Sequence, residues 1–101
     1  MSLKKQYLRT RPFCKVTFSL PSQIAKLANA AHLVGDFNDW NANATPMKKL
    51  KNGTFTATLT LRRNEEYQFR YLLDGVRWEN DGKADKYMAN AYGSENSVVV
   101  V

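Results

Sequence analysis

The sequence predicts an all-β protein, an antiparallel β-sandwich of the immunoglobulin-like (early set) type. Apolar and polar residues alternate with a period of two along most of the chain. Turn-forming dipeptides separate the alternating stretches about every 8–12 residues, as in many sandwiches. The 101 residues, 44% of them hydrophobic, suffice for one domain with one modest core.

The strands are predicted where alternation is clearest. In YQFRYLL the rule places Phe69 and Tyr71 on the core face and Arg70 on the opposite face. After Pro46, the stretch PMKKL predicts a short edge strand. In chain order the predicted strands are KVTFSL, AAHLVGDF, PMKKL, TFTATLTL, YQFRYLL and SVVVV.

Turns and one helical segment connect these strands. The dipeptides Asn52-Gly53, Asp74-Gly75 and Asp81-Gly82 are typical of tight turns. The stretch SQIAKLANAA has helical composition but is too short to be a stable helix by itself. We therefore expect a loop there, with one helical turn.

The formal net charge of +6 is unevenly distributed. The first 15 residues contain no acidic side chain, and the rest of the chain is nearly balanced. We expect residues 1–13 to form a basic, solvated N-terminal arm and residues 14–101 to form the sandwich. We therefore expect no nucleic-acid binding, because such binding requires an excess of positive charge on a folded face. The alternative for the arm is weak polyanion contact. The basic residues concerned are Lys4, Lys5, Arg9, Arg11 and Lys15.

Residues suited to catalysis or metal binding are scarce. His32 is the only histidine and lies in a predicted strand, and Cys14 is the only cysteine. Asp36 and Asp39 resemble an acid–base pair only in residue type, because carboxylates beside a turn commonly cap the backbone. We expect no enzyme activity, no metal and no cofactor. We also expect no membrane span and, from the single thiol, a cytoplasmic protein.

Two tryptophans stand in polar, turn-rich surroundings, Trp40 in FNDWNAN and Trp78 in VRWEND. Each is either a core plug or part of a binding surface. An exposed indole suits the C–H face of a pyranose ring, whose hydroxyls bind to amide and guanidinium groups at the rim. Suitable polar groups are Asn38, Asn80, Asn96 and Arg70, although turn capping is an alternative role for each.

Four segments carry a family resemblance: VGDFNDW, YQFRYLLDG, the tryptophan that follows it, and NAYGSENSVVVV. Together they resemble family-48 carbohydrate-binding modules, which include the N-terminal domains of isoamylases and the glycogen-binding domain of the AMP-activated protein kinase β subunit. The resemblance runs from about residue 14 to the end and is closest to small bacterial proteins that consist of this module alone.

The resemblance implies a binding site for α-1,4-linked glucose. In the family, two tryptophans stack on the sugar, and Trp40 and Trp78 match them. Arg70 matches a basic residue that contacts sugar hydroxyls, although the kinase modules have lysine there. Asn96 matches an asparagine that hydrogen-bonds to the sugar, and Tyr92 matches a large apolar residue that borders it.

One departure from the family pattern affects Trp78. Two residues, Val76 and Arg77, separate the DG dipeptide from the tryptophan, where the kinase modules have one. A two-residue turn would place Trp78 opposite Tyr71 and in the core. A three-residue loop with a bulge would place it opposite Leu72, on the outer face with Arg70. We favour the outer face.

The sequence therefore predicts a non-catalytic module that binds α-glucan, such as glycogen, starch or maltooligosaccharide. The alternative is a protein-interaction module that docks on a glucan-processing enzyme, for example a glycoside hydrolase, without binding sugar itself.

Overall fold

A computed structural model describes residues 3–101, which form nine strands, one short helix and one 3-10 turn. The helix α1 spans Ser22–Ala25, and the 3-10 turn spans Asp36–Asn38. The strands are β1 Leu3–Tyr7, β2 Phe13–Leu20, β3 Ala31–Gly35, β4 Lys48–Lys49, β5 Phe55–Arg62, β6 Glu66–Leu73, β7 Arg77–Glu79, β8 Lys86–Ala89 and β9 Glu95–Val100.

The strands form two antiparallel sheets. The four-stranded sheet has the order β1-β2-β5-β4, and the five-stranded sheet has the order β3-β6-β9-β8, with β7 also paired to β6. The predicted immunoglobulin-like sandwich is thereby confirmed. Turns lie at or beside the three predicted dipeptides, and the short helix and the edge strand β4 occur where the sequence predicts them.

The core lies between the two sheets and is built from alternate residues of their strands. Phe18 of β2 packs edge-on against Phe69 of β6, with ring centroids 5.0 Å apart. Phe69 in turn packs edge-on against Tyr71 at 5.7 Å. All three side chains are fully buried. The period-two pattern therefore identified the core face of these strands correctly.

The basic N-terminal segment contains a strand, which corrects the prediction of a solvated arm. Residues 3–7 form β1, which pairs with β2 from Leu3 opposite Phe18 to Tyr7 opposite Cys14. Leu3 is buried in the core, and Lys5 forms an ion pair at 2.7 Å with Asp85, the residue that precedes β8 of the other sheet. These contacts hold the segment on the sandwich. Met1 and Ser2, also part of the expected arm, lie outside the described residues.

Strand β8 also lay outside the sequence prediction. β8 pairs with β9, yet its four residues are all exposed, so no buried face imposes alternation on them. In the part of the chain that the structure describes, no helix is long and apolar enough to cross a membrane.

Candidate functional site

One open pocket, of about 310 Å³, brings together all five predicted site residues. It lies on the face of the five-stranded sheet that points away from the core, called the outer face below. β6 contributes Arg70 to it, β7 contributes Trp78, and β9 contributes Asn96. The loop after β3 contributes Trp40, and the β8–β9 loop contributes Tyr92. Asn90 also lines the pocket and was missed from the sequence.

The segment GDFNDW carries Trp40 at its end, and the other residues of the segment hold the loop in place. A Cβ on Gly35 would lie 2.8 Å from the Cβ of Phe69, so only glycine lets β3 approach β6 this closely. The ring of Phe37 packs against the core, 5.6 Å from the ring of Phe18. Asn38 accepts from the Gly35 N–H and donates to the Leu33 carbonyl at 2.9 Å, which closes the turn.

Asp36 fixes the indole of Trp40. Its Oδ1 accepts from Trp40 Nε1–H at 2.9 Å, and its Oδ2 accepts from the backbone N–H of Gln68 in β6 at 2.7 Å. Asp39 and Trp40 both have φ +56°, a left-handed conformation that turns the chain sharply. Trp40 therefore stays 36% exposed while its ring is tied to the sheet.

Trp78 lies on the outer face because the β6–β7 loop has three residues. Leu72 pairs with Trp78 and Leu73 pairs with Arg77, so the loop comprises residues 74–76. Asp74 and Gly75 both have positive φ, and Val76 donates its N–H to the Leu73 carbonyl. The predicted three-residue loop and the outward orientation of Trp78, which is 43% exposed, are confirmed.

Arg70 lines the pocket and contacts the Trp78 ring. Its guanidinium carbon lies 5.9 Å from the centroid of the Trp78 ring, a cation–π contact. One Nη2–H reaches the Ser94 hydroxyl at a long 3.4 Å. Its Nε is buried, and no acceptor among residues 3–101 hydrogen-bonds to it.

Asn90 organises the β8–β9 side of the pocket. Its Oδ1 accepts from the backbone N–H groups of Tyr92 at 2.9 Å and Ser94 at 3.2 Å, which fixes the loop. Its Nδ2 donates to Asn96 Oδ1 at 3.2 Å, and Asn96 Nδ2 donates to Gln68 Oε1 at 3.1 Å. The side chain of Tyr92 is 93% exposed. The asparagine before a turn was the available signal for Asn90, but sequence alone does not show which groups a turn residue contacts.

The structure does not bring Asn80 or Asn38 to the pocket. Asn80 donates to the Glu95 carbonyl and accepts from the backbone and hydroxyl of Ser97. Asn80 and Asn38 therefore both bind backbone groups of this chain, which is the capping role given above as their alternative.

The pocket lining suits stacking and hydrogen bonding. It consists of two indoles, one phenol, two amides and one guanidinium. Among residues 3–101, no group of three or more His, Cys, Asp or Glu side chains is placed to hold a metal ion. Such a lining matches a ligand with flat apolar faces and many hydroxyls.

Comparison with known proteins gives a family for the chain. Residues 14–93 match the family model described as carbohydrate-binding module 48 (isoamylase N-terminal domain). The chain is also similar to an amylopullulanase from Thermoanaerobacter thermohydrosulfuricus, with 30% identity over 83 residues. That alignment covers 80% of this chain but only 5% of the enzyme. On the family match, which covers most of the sandwich and four of the five predicted site residues, the chain belongs to the carbohydrate-binding module 48 family.

Proposed function

We propose that the chain is a non-catalytic module that binds α-1,4-linked glucan, such as glycogen, starch or maltooligosaccharide, in the pocket of the outer face. The observation that carries the proposal is the convergence of two part-exposed indoles, Trp40 and Trp78, on one pocket with Arg70 and Asn96. The family membership supports the carbohydrate class of the ligand.

The division of roles follows from chemistry. The indoles of Trp40 and Trp78 stack on the C–H faces of successive glucose rings, burying apolar surface that is otherwise half in water. Arg70 and Asn96 hydrogen-bond to sugar hydroxyls, and Tyr92 borders the bound chain. Because the pocket is open, much of each sugar stays hydrated, and we expect a Kd on the order of micromolar to millimolar.

Isothermal titration with maltoheptaose tests the proposal. We expect saturable heat with maltoheptaose and a much weaker response to cellohexaose, because β-linked chains are straighter and present their ring faces differently. Absence of heat and of NMR shifts in the pocket residues at millimolar maltoheptaose would contradict the proposal.

A second candidate function, docking on a glucan-processing enzyme, is favoured by a different observation. Leu27, Val76 and Ile24 are 98%, 82% and 41% exposed. Leu27 and Val76 line one depression between the α1 loop and the β6–β7 loop. Exposed apolar side chains grouped on one part of a surface are typical of protein interfaces. The similar region of an amylopullulanase is a small part of a larger enzyme, which makes a glycoside hydrolase the partner to test.

Surface plasmon resonance with purified amylopullulanase over the immobilised chain tests this second function. Binding that is lost in Leu27→Asp but kept in Trp40→Ala would support it, and binding indifferent to Leu27→Asp would exclude this surface.

We also propose a cytoplasmic location, supported by the free, buried thiol of Cys14.

A further inference from the structure

The excess positive charge of the chain is concentrated on the four-stranded sheet. Its strand residues 3–7, 13–20, 48–49 and 55–62 include no Asp or Glu. Of the chain's 15 basic and 9 acidic residues, the nine basic ones outside these strands balance the acidic ones. The basic residues of the sheet are Lys4, Lys5, Lys15, Lys48, Lys49 and Arg62.

Three of these cations form a row across the solvent side of the sheet. Lys4 pairs with Thr17, which lies two residues from Lys15 on β2. Lys15 pairs with Thr60, which lies two residues from Arg62 on β5. Such diagonal neighbours on one face are about 7–8 Å apart. All three cations are exposed.

The row is free of competing ion pairs within residues 3–101, because the ion pairs of that region involve other side chains. By contrast, Lys5 is paired with Asp85, and Lys49 donates to the Ala28 carbonyl. The row therefore presents unneutralised charge to solvent. We call this surface, the solvent-facing side chains of β1, β2 and β5, the basic face.

The side chains around the row are polar and can donate hydrogen bonds. Thr58 and Thr60 are exposed, and Thr17 shares a hydroxyl hydrogen bond with Thr58 at 3.0 Å. The aromatic ring of Phe13 is half-buried, with the Arg62 guanidinium carbon 5.6 Å from its centroid. The basic face therefore combines charge with hydroxyl groups and has little free apolar surface.

We propose that the basic face binds the phosphodiester backbone of nucleic acid, without sequence preference. Lys, Arg and Thr are the side chains that contact phosphate oxygens, and nucleic-acid interfaces are polar and strongly positive. A protein partner fits poorly, because protein interface cores are rich in aromatics and depleted in lysine. A row of charges also matches a linear polyanion better than it matches the plane of a bilayer.

The flatness of the basic face is the reason for expecting no sequence preference. Base readout requires an element that enters a groove or free aromatic rings on which bases stack. β1, β2 and β5 present neither, because their one solvent-side aromatic, Phe13, is already covered by Arg62. Affinity then comes from phosphate neutralisation and depends steeply on salt.

The basic face is separate from the glucan pocket. The two surfaces lie on opposite sheets of the sandwich, with a core layer about 10 Å thick between the sheets. Failure of one proposal therefore leaves the other unaffected, and each can be measured in the presence of the other ligand.

Fluorescence anisotropy with a labelled 20-nucleotide DNA strand of mixed sequence, at 50 and 200 mM NaCl, tests the proposal. The face variant is Lys15→Gln with Arg62→Gln. The matched control is Lys26→Gln with Lys51→Gln, which removes the same charge from exposed loops. We expect the face variant to bind roughly tenfold more weakly and its salt slope to fall by about 1.4, from two lost phosphate contacts. The control should stay within about twofold.

Three outcomes overturn the proposal. The first is no binding by the unaltered chain at 50 mM salt and submillimolar protein. The second is an equal loss in both variants, which would mean that only net charge matters. The third is binding to vesicles of phosphatidylcholine with 30% phosphatidylglycerol but not to the strand. Circular dichroism and maltoheptaose titration of the face variant verify that its fold and pocket are intact.

Discussion

At the scale of single residues, Asp36 controls the site without lining it. One oxygen of its carboxylate holds the indole N–H of Trp40, and the other holds the backbone of β6 at Gln68. The orientation of the ring therefore depends on a side chain four positions away. The sequence predicted Trp40 as a site residue from its family motif, but it gave Asp36 only as a possible turn cap.

Replacing either tryptophan should abolish most glucan binding. For Trp40→Ala and Trp78→Ala we expect a loss of about 2 kcal/mol or more of binding free energy, roughly thirtyfold in Kd, because each ring buries a large apolar face on the sugar. Isothermal titration with maltoheptaose measures it. Tyr7→Ala is a matched control, since Tyr7 is an exposed aromatic on the opposite sheet. Unfolding of Trp40→Ala would instead assign that ring to the core.

Asp36→Asn should weaken both stability and glucan binding. The new amide group must face one of two N–H donors, and we expect the free energy of unfolding to fall by about 1–3 kcal/mol. Urea denaturation and maltoheptaose titration measure the two effects. Asp39→Asn is the control, because it makes the same chemical change in the same loop at a side chain outside the Trp40 and Gln68 hydrogen bonds. Equal effects in the two variants would refute the positioning role of Asp36.

At the scale of elements, the β6–β7 loop decides which way Trp78 points. The sequence allowed two registers, and family spacing alone did not distinguish them. The structure absorbs the additional residue at Val76, which is 82% exposed, so Trp78 keeps Leu72 as its partner. An additional residue is thus tolerated in the β6–β7 loop, because it leaves the pairing of the two strands unchanged.

A deletion and an insertion separate loop length from register. Deleting Val76 leaves Asp74-Gly75, both with positive φ, as a two-residue turn. Leu72 then still pairs with Trp78, and we expect maltoheptaose affinity within about threefold of the original. Inserting one glycine between Arg77 and Trp78 shifts Trp78 to the core side. We expect glucan binding to disappear from that variant. Retained affinity after the insertion would show that Trp78 is not a platform.

The elements that the sequence missed share a physical cause. β1 has the sequence LKKQY, in which only Leu3 is buried, and β8 is exposed throughout. Both are edge strands, each paired with one neighbour, β2 or β9. The alternation of apolar and polar residues indicates burial and not hydrogen bonding. Exposed strands that pair with the edge of a sheet therefore show no such alternation in the sequence. The central strands β2, β5 and β6 were predictable because their alternation is imposed by the core.

At the scale of the whole molecule, a buried polar network joins the strands of the five-stranded sheet. The Tyr71 hydroxyl donates to the buried Asp81 carboxylate at 2.7 Å, and the Asp81 N–H donates to Ser97 Oγ at 2.8 Å. Burial, then the charge of Asp81 and the hydrogen bond to it, raise the pKa of Tyr71 well above its usual value. Nothing in the sequence pairs a core tyrosine with an aspartate ten residues away, so this network was not predictable.

The raised pKa of Tyr71 makes stability sensitive to alkali. The unfolded chain releases this proton near pH 10, whereas the folded chain retains it. The contribution of the Tyr71 hydroxyl to the free energy of unfolding is therefore complete below about pH 10. It is lost progressively as the pH rises toward the higher pKa of the folded chain. We expect urea unfolding to show this loss between pH 9 and 11.

Tyr71→Phe provides the control for the alkaline effect. It leaves Asp81 buried without one donor, and we expect a fall of about 1–3 kcal/mol in the free energy of unfolding at pH 7. Its further loss between pH 9 and 11 should be smaller than that of the unaltered chain. An equal alkaline loss in both proteins would assign the effect to other groups.

The two sides of the proposed glucan pocket differ in their freedom of movement. Trp40 is already immobilised by a hydrogen bond to its indole, whereas only the backbone of Tyr92 is held and its ring is 93% in solvent. A sugar that reaches Tyr92 must restrict a rotating phenol, at an entropic cost of about 0.5–1.5 kcal/mol. Equal contact areas on the two aromatics therefore contribute unequally to affinity, and lengthening an oligosaccharide toward Tyr92 brings a diminishing gain.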